Sequence, residues 1–486
     1  LRGGPCFSGQ RRAHSDDGPI IMFDVHSQYP TAMVKPLPYG CYNEEVLIQD
    51  QDQDQDQAWD MEKVLKFVQE LTPESMDGCI VEIDGYIPEY LHERLRYFSP
   101  VIVNAVPEVG EFGEYTTSLH HLRGTKPIKG QKKLMPTLKP QEKMVVVGVL
   151  LKKMIELGFV VTKVHRFITY VNNYYMKPFI EFWYNERKKH PKGSVENTFC
   201  KLMINSIYGK LIERADEKRS FKVCRDAKTQ RKHLANSRNG GIRFINKNMS
   251  IVEVEAAGTI KRSPLPGIHV LALAKYQMLD LFYQMKDKIP STVLVYSDTD
   301  SMALQFKGLK DANEVMEKLG QEFRSEYLDL VGAHPDFIDP RFVEETEKNK
   351  DELGALGLDT EWFDAKAMKN FKVGIKEVIV LAPKMYAMIS THDSLDIGAK
   401  GIDRKNANQL KVDQFQRELM TLEQIKSLSP DSYQPHTVTD SRFVRKNLGI
   451  RTIEVTKRGL SALYDKGEVQ PDGVTIYPYG YQGSRV

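Results

Sequence analysis

Two segments of the chain place aspartate residues at the ends of short apolar runs. Residues 20–23 form an apolar run that predicts a strand ending at Asp24, and a turn or helix start follows at residues 27–31. Residues 292–306, TVLVYSDTDSMALQF, contain two apolar runs around a short polar stretch, which predicts a β-hairpin. A carboxylate at the end of a buried strand is held rigidly, as a metal ligand should be. Asp24 by itself has a simpler explanation, because an aspartate that closes a strand is more often a helix cap or a turn former.

A longer segment, residues 197–215, has the pattern of a helix. Lys201, Asn205 and Tyr208 recur at i, i+4 and i+7 and therefore share one face. That face could present an ammonium to phosphates and a ring to a base, or it could be an ordinary solvated face. Gly209 costs roughly 1 kcal/mol relative to Ala inside a helix, which favours the close approach of a large partner.

Other segments carry weaker patterns. The acidic repeat at residues 49–57 has nothing to bury and is expected to be a solvated loop insertion. Residues 126–143 are basic and interrupted by prolines, which predicts a loop, and a helix is expected from about residue 141 to residue 157. Further basic clusters occur at residues 186–192, 217–233 and 442–459. Each cluster is consistent with a solvated face, and together they favour a polyanionic partner.

Composition and charge restrict the class of protein. With 486 residues, 41% of them hydrophobic, the chain is long enough for several subdomains with large cores. The 68 Lys and Arg residues nearly balance the 65 Asp and Glu residues, so the net charge of +3 neither demands nor excludes nucleic acid. The five cysteines show no CxxC spacing and no HExxH motif occurs, which argues against zinc and disulfides and favours a reducing, intracellular compartment. Neither a signal peptide nor an apolar run of transmembrane length is found, so secretion and membrane insertion are not expected.

The predicted hairpin turn holds the strongest chemical signal. Asp298 and Asp300 are two positions apart, so their carboxylates can converge on one point, where they repel each other unless a cation lies between them. An ordinary hairpin turn would use Asn-Gly or Asp-Gly without such a charge pair. The chance of finding YxDTDS in a chain of this length is on the order of one in ten thousand. The turn therefore predicts a metal-binding pair of carboxylates.

Three motifs resemble those of family B DNA polymerases, and they occur in that family's order. DVHSQYP resembles motif A, KLMINSIYG resembles motif B and YSDTDS resembles motif C. LRGG at the first residues resembles the YxGG segment that links the exonuclease and polymerase regions, and APKMYAM resembles the KxY motif near the primer terminus. The likeness extends from Leu1 to about Tyr481. It has two departures, since Leu1 replaces the first aromatic of YxGG and Gln28 replaces Leu in motif A.

The sequence looks most similar to the protein-primed branch of this family, which occurs in phages, adenoviruses, linear plasmids and Polinton-type mobile elements. Lys201 follows Asp24 by 177 residues and precedes Asp298 by 97, and both intervals are long enough for the two insertions of that branch, TPR1 and TPR2. The C-terminal DGVTIYPYGY is similar to the ends of mobile-element members. This likeness implies protein-primed replication of a viral or mobile-element genome, with a terminal protein as the primer.

The fold that the resemblance implies is an α+β right hand of palm, fingers and thumb, with an antiparallel palm sheet. The expected division is residues 1–18 as a linker from a missing exonuclease region, 19–180 as palm with a TPR1-like insertion, 181–215 as fingers, 216–390 as palm with a TPR2-like insertion and the motif C hairpin, and 391–486 as thumb and C-terminal tail. Because no exonuclease motifs are found, this chain alone is expected to lack 3′–5′ exonuclease activity.

The resemblance also implies roles for individual residues in adding deoxynucleoside triphosphates to a DNA primer-template. Two Mg²⁺ ions, with Mn²⁺ as an alternative, would be held by the catalytic residues Asp24, Asp298 and Asp300 and by the carbonyl of Val25. The expected nucleotide-binding residues are Tyr29, which would exclude a 2′-hydroxyl, and Arg187, Lys188, Lys201, Asn205 and Tyr208. The expected DNA-binding residues are Gly3, Gly4, Lys384 and Tyr386. An oligomer is not expected.

Other classes of protein explain fewer of these features. A reverse transcriptase also uses a carboxylate hairpin, but it would show YxDD and no helix like KLMINSIYG. A metal-dependent nuclease could use clustered aspartates, but it would leave the face of Lys201 unexplained. A decayed mobile-element relic that only binds DNA would have no need of an intact Asp24, Asp298 and Asp300. Primer extension with Mg²⁺ separates these alternatives.

Overall fold

The computed structural model describes most of the chain. The described residues are 4–25, 27–47, 59–126, 131–191, 193–213, 219–236, 239–246, 248–255, 263–329, 356–358, 375–390, 394–446 and 449–483. The acidic repeat at residues 49–57 and Gly3 lie outside the described residues.

The strands are numbered in chain order. They are β1 Cys6–Ser8, β2 Arg12–His14, β3 Ile20–Val25, β4 Leu37–Glu44, β5 Asp77–Tyr86, β6 Ile102–Ala105, β7 Lys133–Pro136, β8 Gln141–Val147, β9 Val160–Asn173, β10 Arg219–Cys224, β11 Asn239–Asn246, β12 Met249–Glu255, β13 Thr292–Asp298, β14 Ser301–Phe306, β15 Leu328–Asp329, β16 Leu356–Leu358, β17 Ile375–Ala382, β18 Met385–Ser390, β19 Leu395–Ala399, β20 Thr437–Lys446, β21 Gly449–Arg458, β22 Glu468–Val469 and β23 Ile476–Tyr477.

The helices lie between these strands. They are α1 Gln28–Met33, α2 Met61–Glu70, α3 His92–Leu95, α4 Glu114–Leu122, α5 Gly148–Glu156, α6 Lys177–Lys188, α7 Val195–Leu211, α8 Ala227–Leu234, α9 Leu265–Lys288, α10 Ala312–Tyr327, α11 Arg404–Ala407, α12 Val412–Glu418 and α13 Leu422–Ser427. Each helix in the described part of the chain is too short or too polar to span a lipid bilayer.

The chain forms two compact units. The first contains Leu1–Pro178, Val270–Asp440 and Thr456–Val486, and the second contains Phe179–His269 and Ser441–Val455. The division into palm, fingers, thumb and insertions that the sequence suggested stays a prediction.

The first unit is built around a ten-stranded sheet with the order β1-β13-β14-β3-β17-β18-β19. Within it β15 and β16 form a short parallel pair, β16 also pairs with β3, and β2 pairs with β17. The other pairings in this sheet are antiparallel. The central strands β3, β13 and β14 are buried almost throughout, because both of their faces are covered and nearly every position is apolar. The predicted strand at residues 20–23 and the predicted hairpin at residues 292–306 are confirmed.

A second antiparallel sheet in the first unit has the order β4-β9-β5-β8. The helix predicted from about residue 141 to residue 157 is wrong in its first half, since Gln141–Val147 is strand β8 and only Gly148–Glu156 is helical. The run MVVV at residues 144–147 is rich in β-branched side chains, and Ile80 to Ile83 of β5 supply its partners. That partner lies about sixty positions away in the sequence, so local periodicity did not reveal it.

The region predicted as a basic loop at residues 126–143 also contains regular structure. Lys133–Pro136 is strand β7, which pairs with β6, and residues 141–143 open β8. Met135 is buried, so this segment contributes to the core although prolines and lysines dominate its composition. The remaining residues 127–130 lie outside the described part.

Helix α4 anchors the C-terminal region of the first unit. Tyr115, Leu119 and Leu122 on one face of α4 are buried in a cluster with apolar residues from α12, α13 and the segments that follow β21. Just after α4, Arg123 forms a buried salt bridge of 2.8 Å with Glu418. The early and late parts of this unit are therefore packed into one core.

The second unit contains α7 and a separate three-stranded antiparallel sheet of order β10-β12-β11. Helix α7 begins after Ser194, whose hydroxyl accepts a hydrogen bond of 3.2 Å from the backbone N–H of Asn197. Its range, Val195–Leu211, confirms the helix that the sequence predicted at residues 197–215, with an end a few residues earlier. Helices and antiparallel sheets thus make up both units, and the predicted α+β class is confirmed.

Candidate active site

The three predicted catalytic aspartates lie at one end of the main sheet. In the pairing of β14 with β3, Ser301 lies opposite Asp24, and in the hairpin β13–β14 Asp298 lies opposite Ser301. The backbone N–H of Val25 donates a hydrogen bond of 2.9 Å to the carbonyl oxygen of Asp300. The strand register therefore brings Asp24 beside the hairpin turn that carries Asp298 and Asp300, as the sequence suggested.

The hairpin turn has a constrained backbone. Thr299, between the two aspartates, has a φ of 66°, which is unusual for a β-branched residue. Its N–H donates a hydrogen bond of 2.8 Å to the carbonyl of Pro5, and a Cβ added to Gly4 would lie 2.3 Å from Thr299 Cγ2. The first described residues of the chain therefore pack directly on the turn, and Gly4 allows that close approach. The proposed DNA contact of Gly4 stays a prediction.

Asp298 already has a cationic partner. The Nζ atom of Lys384 lies 3.0 Å from Asp298 Oδ2, and Tyr296 donates a longer hydrogen bond of 3.4 Å to the same oxygen. Partial burial of Lys384 disfavours its charge, but the hydrogen bond and charge of Asp298 outweigh this and raise the pKa of Lys384. Burial raises the pKa of Tyr296 well above its ordinary value, so its hydroxyl stays protonated and able to donate. The contact of Lys384 with Asp298 was not expected from the sequence.

The turn between β17 and β18 fixes the backbone of Lys384. Its φ is 64°, its N–H donates a hydrogen bond of 3.1 Å to the Tyr296 hydroxyl, and its carbonyl accepts one of 3.0 Å from Lys400. The rings of Tyr296 and Tyr386 are in contact, with centroids 5.3 Å apart. Tyr296 therefore connects the motif C hairpin with the predicted DNA-binding pair, Lys384 and Tyr386. Sequence reasoning gave Tyr296 no role, although it is the tyrosine of YSDTDS.

The segment after Asp24 turns sharply into α1. Ser27 has a φ of 52°, and Thr31 Oγ1 donates a hydrogen bond of 3.0 Å to the Ser27 carbonyl. Gln28, the departure from the motif A pattern, is buried and its side-chain amide donates a hydrogen bond of 3.4 Å to Ala274. Tyr29 is half-buried next to it. The structure thus places Tyr29 at the first turn of a short helix that begins four positions after Asp24.

In the second unit, the predicted nucleotide-binding residues lie on α6 and α7. Lys201 and Asn205 are exposed, whereas Tyr208 is buried and belongs to the buried stripe of α7. A Cβ added to Gly209 would meet no atom of the described residues within 4 Å. The close approach of a large partner at this glycine stays a prediction.

The end of α6 is tied to the start of α7. Asn197 donates hydrogen bonds of 3.1 Å to the carbonyls of Arg187 and His190, and the Nε of Arg187 lies 3.5 Å from Asn197 Oδ1. The Nζ of Lys188 lies 4.9 Å from the ring centroid of Tyr184, a cation–π contact. Asn197 therefore holds the last turn of α6, which carries Arg187 and Lys188, and sequence reasoning missed this positioning role.

The donor set at the sheet end is suited to hard divalent cations. Carboxylate oxygens are the ligands that Mg²⁺ and Mn²⁺ prefer, and here the aspartates lie near the end of β3, at the end of β13 and in the turn that follows β13. No three His, Cys, Asp or Glu side chains within the described ranges are gathered closely enough to form a metal cage. The residues still fit the expected ions, because the register places three aspartates at the same end of the sheet and Asp298 already accepts a cationic group from Lys384. The metal and the individual residue roles stay predictions.

Comparison with known proteins identifies the fold. No family model and no curated protein matches the sequence. The solved structures that match include a DNA polymerase, and the chain has its α+β right-hand fold with an antiparallel palm sheet. Three of the matching structures are of phi29 DNA polymerase: with primer-template DNA (TM-score 0.50, 14% identity), with primer-template DNA and incoming nucleotides (0.52, 14%), and in an orthorhombic crystal form (0.51, 15%).

These matches cover 94–95% of this chain but only 60–61% of phi29 DNA polymerase. The chain therefore spans about three fifths of the length of the protein whose fold it shares. At this identity the likeness concerns the fold.

Proposed function

We propose that this protein is a template-directed DNA polymerase that adds deoxynucleotides to a primer 3′-hydroxyl. One observation carries the proposal. In a right-hand polymerase fold, Asp24 at the end of β3 and Asp298 and Asp300 at the β13–β14 turn lie together at one end of the central sheet. Phi29 DNA polymerase, which shares the fold, has been solved with primer-template DNA and incoming nucleotides, and this supports the same ligand classes here.

Asp24, Asp298 and Asp300 are the proposed catalytic residues. A pair of bound Mg²⁺ ions would lower the pKa of the primer 3′-hydroxyl and neutralise the charge that develops on the leaving pyrophosphate. The protein's contribution is to hold the three carboxylates at the end of rigid, buried strands, with the Val25 carbonyl as a further oxygen ligand. The strained turn at Thr299 sets the direction in which Asp298 and Asp300 point.

Other residues are proposed to position the substrates. Lys201 is exposed on α7 and carries a mobile ammonium suited to a triphosphate, with Arg187 and Lys188 as further cations. Asn205 and Tyr208 would shape the space for the nascent base pair. The primer-template would be held by Gly3, Gly4, Lys384 and Tyr386.

Primer extension tests the proposal against its alternatives. Purified chain, Mg²⁺ and four deoxynucleotides should lengthen a labelled primer to the end of a DNA template, in the order that the template dictates. Equal or better extension on an RNA template would favour a reverse transcriptase. Shortening of the strands without any extension would favour a nuclease, and binding without either reaction would favour an inactive relic.

Tyr29 is proposed to exclude ribonucleotides. We expect Tyr29→Val to raise the insertion of ribonucleotides relative to deoxynucleotides by about tenfold or more, because a smaller side chain leaves room for a 2′-hydroxyl. Single-nucleotide insertion with each sugar gives the ratio. Tyr39→Val, at an exposed tyrosine of β4, is the matched control and should keep the parent ratio. Equal discrimination in Tyr29→Val and the parent would remove Tyr29 from the sugar pocket.

We further propose that replication is primed by a protein, on a viral or mobile-element genome. The support is the family likeness and the long intervals between the motifs, which accommodate the sheet β4-β9-β5-β8 before Lys201 and the sheet β10-β12-β11 after it. DNA primed in this way carries a protein on each 5′ end. Replicated copies of the element should therefore resist a 5′ exonuclease while a 3′ exonuclease digests them, and protease treatment should increase their mobility in a gel. Digestion by the 5′ exonuclease would contradict protein priming.

A further inference from the structure

Lys384 occupies a position in which it competes with a metal ion for Asp298. Its ammonium lies 3.0 Å from Asp298 Oδ2, and 25% of the Asp298 side chain is exposed against 53% of the Lys384 side chain. Asp298 is one of the carboxylates proposed to bind metal. An ammonium at this distance occupies one of its oxygens and repels a divalent cation that approaches the same group.

The contact is built into the fold rather than a chance pairing of two surface side chains. Lys384 has a left-handed backbone, which costs free energy for a residue other than glycine and is retained because the surroundings hold it. Its N–H is bound to Tyr296, two residues before Asp298, and its carbonyl is bound to Lys400. The same tyrosine therefore orients both the lysine and the carboxylate.

We propose that Lys384 is an internal counter-ion of Asp298, which holds this carboxylate in the metal-free enzyme and leaves it when the primer binds. The second half of the proposal rests on the proposed function, in which Lys384 contacts the primer terminus. When Lys384 leaves Asp298 and binds a DNA phosphate, the Asp298 carboxylate is released for metal binding. DNA therefore makes the metal site more available. By linkage, metal and primer-template then each strengthen the binding of the other.

Metal binding without DNA tests the first half of the proposal, that Lys384 competes with metal for Asp298. Mn²⁺ is titrated into the parent protein and its variants, and bound ion is measured by calorimetry or by the loss of the electron paramagnetic resonance signal of free Mn²⁺. A partly exposed ion pair contributes modestly, so Lys384→Met should bind Mn²⁺ about twofold to fivefold more tightly than the parent. Lys384→Arg keeps the charge and should resemble the parent. Equal or weaker binding by Lys384→Met would overturn the proposal.

Two further variants keep this result interpretable. Lys400→Met removes a neighbouring exposed positive charge that is not paired with Asp298, and it should leave Mn²⁺ affinity near that of the parent. If it tightens binding as much as Lys384→Met, general charge rather than the contact is responsible, and the proposal fails. Lys384→Asn removes the charge with a residue that tolerates a left-handed backbone. It should reproduce the tighter binding even where Lys384→Met does not fold.

The coupling between DNA binding and metal binding tests the second half of the proposal, that Lys384 leaves Asp298 when the primer binds. The titration is repeated with a primer-template that ends in a 3′-dideoxynucleotide, with the primer-template alone as the baseline for ions that bind to the DNA itself. DNA should tighten Mn²⁺ binding by the parent, and this gain should shrink to near zero in Lys384→Met. An equal gain in both proteins would show that Lys384 does not carry the coupling.

Primer extension by the parent, measured separately, distinguishes failure of this inference from failure of the proposed function. If the parent extends primers but Lys384→Met does not tighten Mn²⁺ binding, the counter-ion role fails and the polymerase proposal stands. If Lys384→Met does tighten Mn²⁺ binding but the parent does not extend primers, the polymerase proposal fails and the counter-ion role stands.

Discussion

Asp300→Asn is expected to reduce primer extension by about a thousandfold or more while binding to primer-template DNA persists. The substitution keeps the shape of the side chain and removes the charge that holds a divalent cation. Losing that ion removes on the order of 4 kcal/mol of transition-state stabilisation, which corresponds to this factor in rate. Asp24→Asn should have a similar effect, since Asp24 lies opposite Ser301 beside the same turn.

Single-turnover extension of a labelled primer measures the rate, and an electrophoretic shift of the same primer-template measures binding. Asp287→Asn is the matched control, because this aspartate forms an exposed ion pair with Arg94 in another part of the first unit. It should extend primers like the parent. Parent-like extension by Asp300→Asn would show that the motif C assignment is wrong.

Arg11→Met is expected to destabilise the first unit by about 3–5 kcal/mol. Arg11 is fully buried, and its guanidinium donates hydrogen bonds to the Tyr115 hydroxyl and to the backbone carbonyls of Val380, Leu381, Ala462 and Gly473. These acceptors come from four separate segments of the chain. A methionine fills the space but leaves buried carbonyls without a donor, and each such group costs about 1–3 kcal/mol.

Urea unfolding followed by circular dichroism and by limited proteolysis measures this loss. The two units do not have to unfold together, so the proteolytic fragments identify the unit that opens first. Arg417→Met is the matched control, since Arg417 forms an exposed i, i+4 pair with Asp413 and should contribute only about 0.5 kcal/mol. An unfolding midpoint of Arg11→Met equal to that of Arg417→Met would contradict a structural role for the guanidinium.

Local patterns were sufficient where an element is specified by its own residues. The apolar run before Asp24 and the two runs around YSDTDS form β3 and the β13–β14 hairpin, because buried strands with a tight turn between them need no distant partner to be recognised. The helix carrying Lys201 and Asn205 was predicted for the same reason. The motif order then indicated an α+β right-hand polymerase fold, which the structure confirms.

Local patterns failed where the partner of a segment lies far along the chain. The run at residues 144–147 is compatible with a buried helix or a buried strand by its apolar character alone, and the pairing with β5 decides for the strand. The basic segment containing Lys133–Pro136 became a strand because β6 offers an edge to it. In both cases the local composition is compatible with more than one structure. Hydrogen bonding to a strand elsewhere in the chain selects the strand.

The sequence by itself predicted which side chains carry the chemistry, because Asp24, Asp298 and Asp300 stand out by their residue types and spacing. Only the tertiary structure decided what surrounds them. The ion pair of Lys384 with Asp298 and the hydrogen bonds of Arg11 join residues tens to hundreds of positions apart. Such contacts depend on strand order and register across the whole sheet. Order and register are set when segments far apart in the sequence come together, so a local sequence pattern does not predict them.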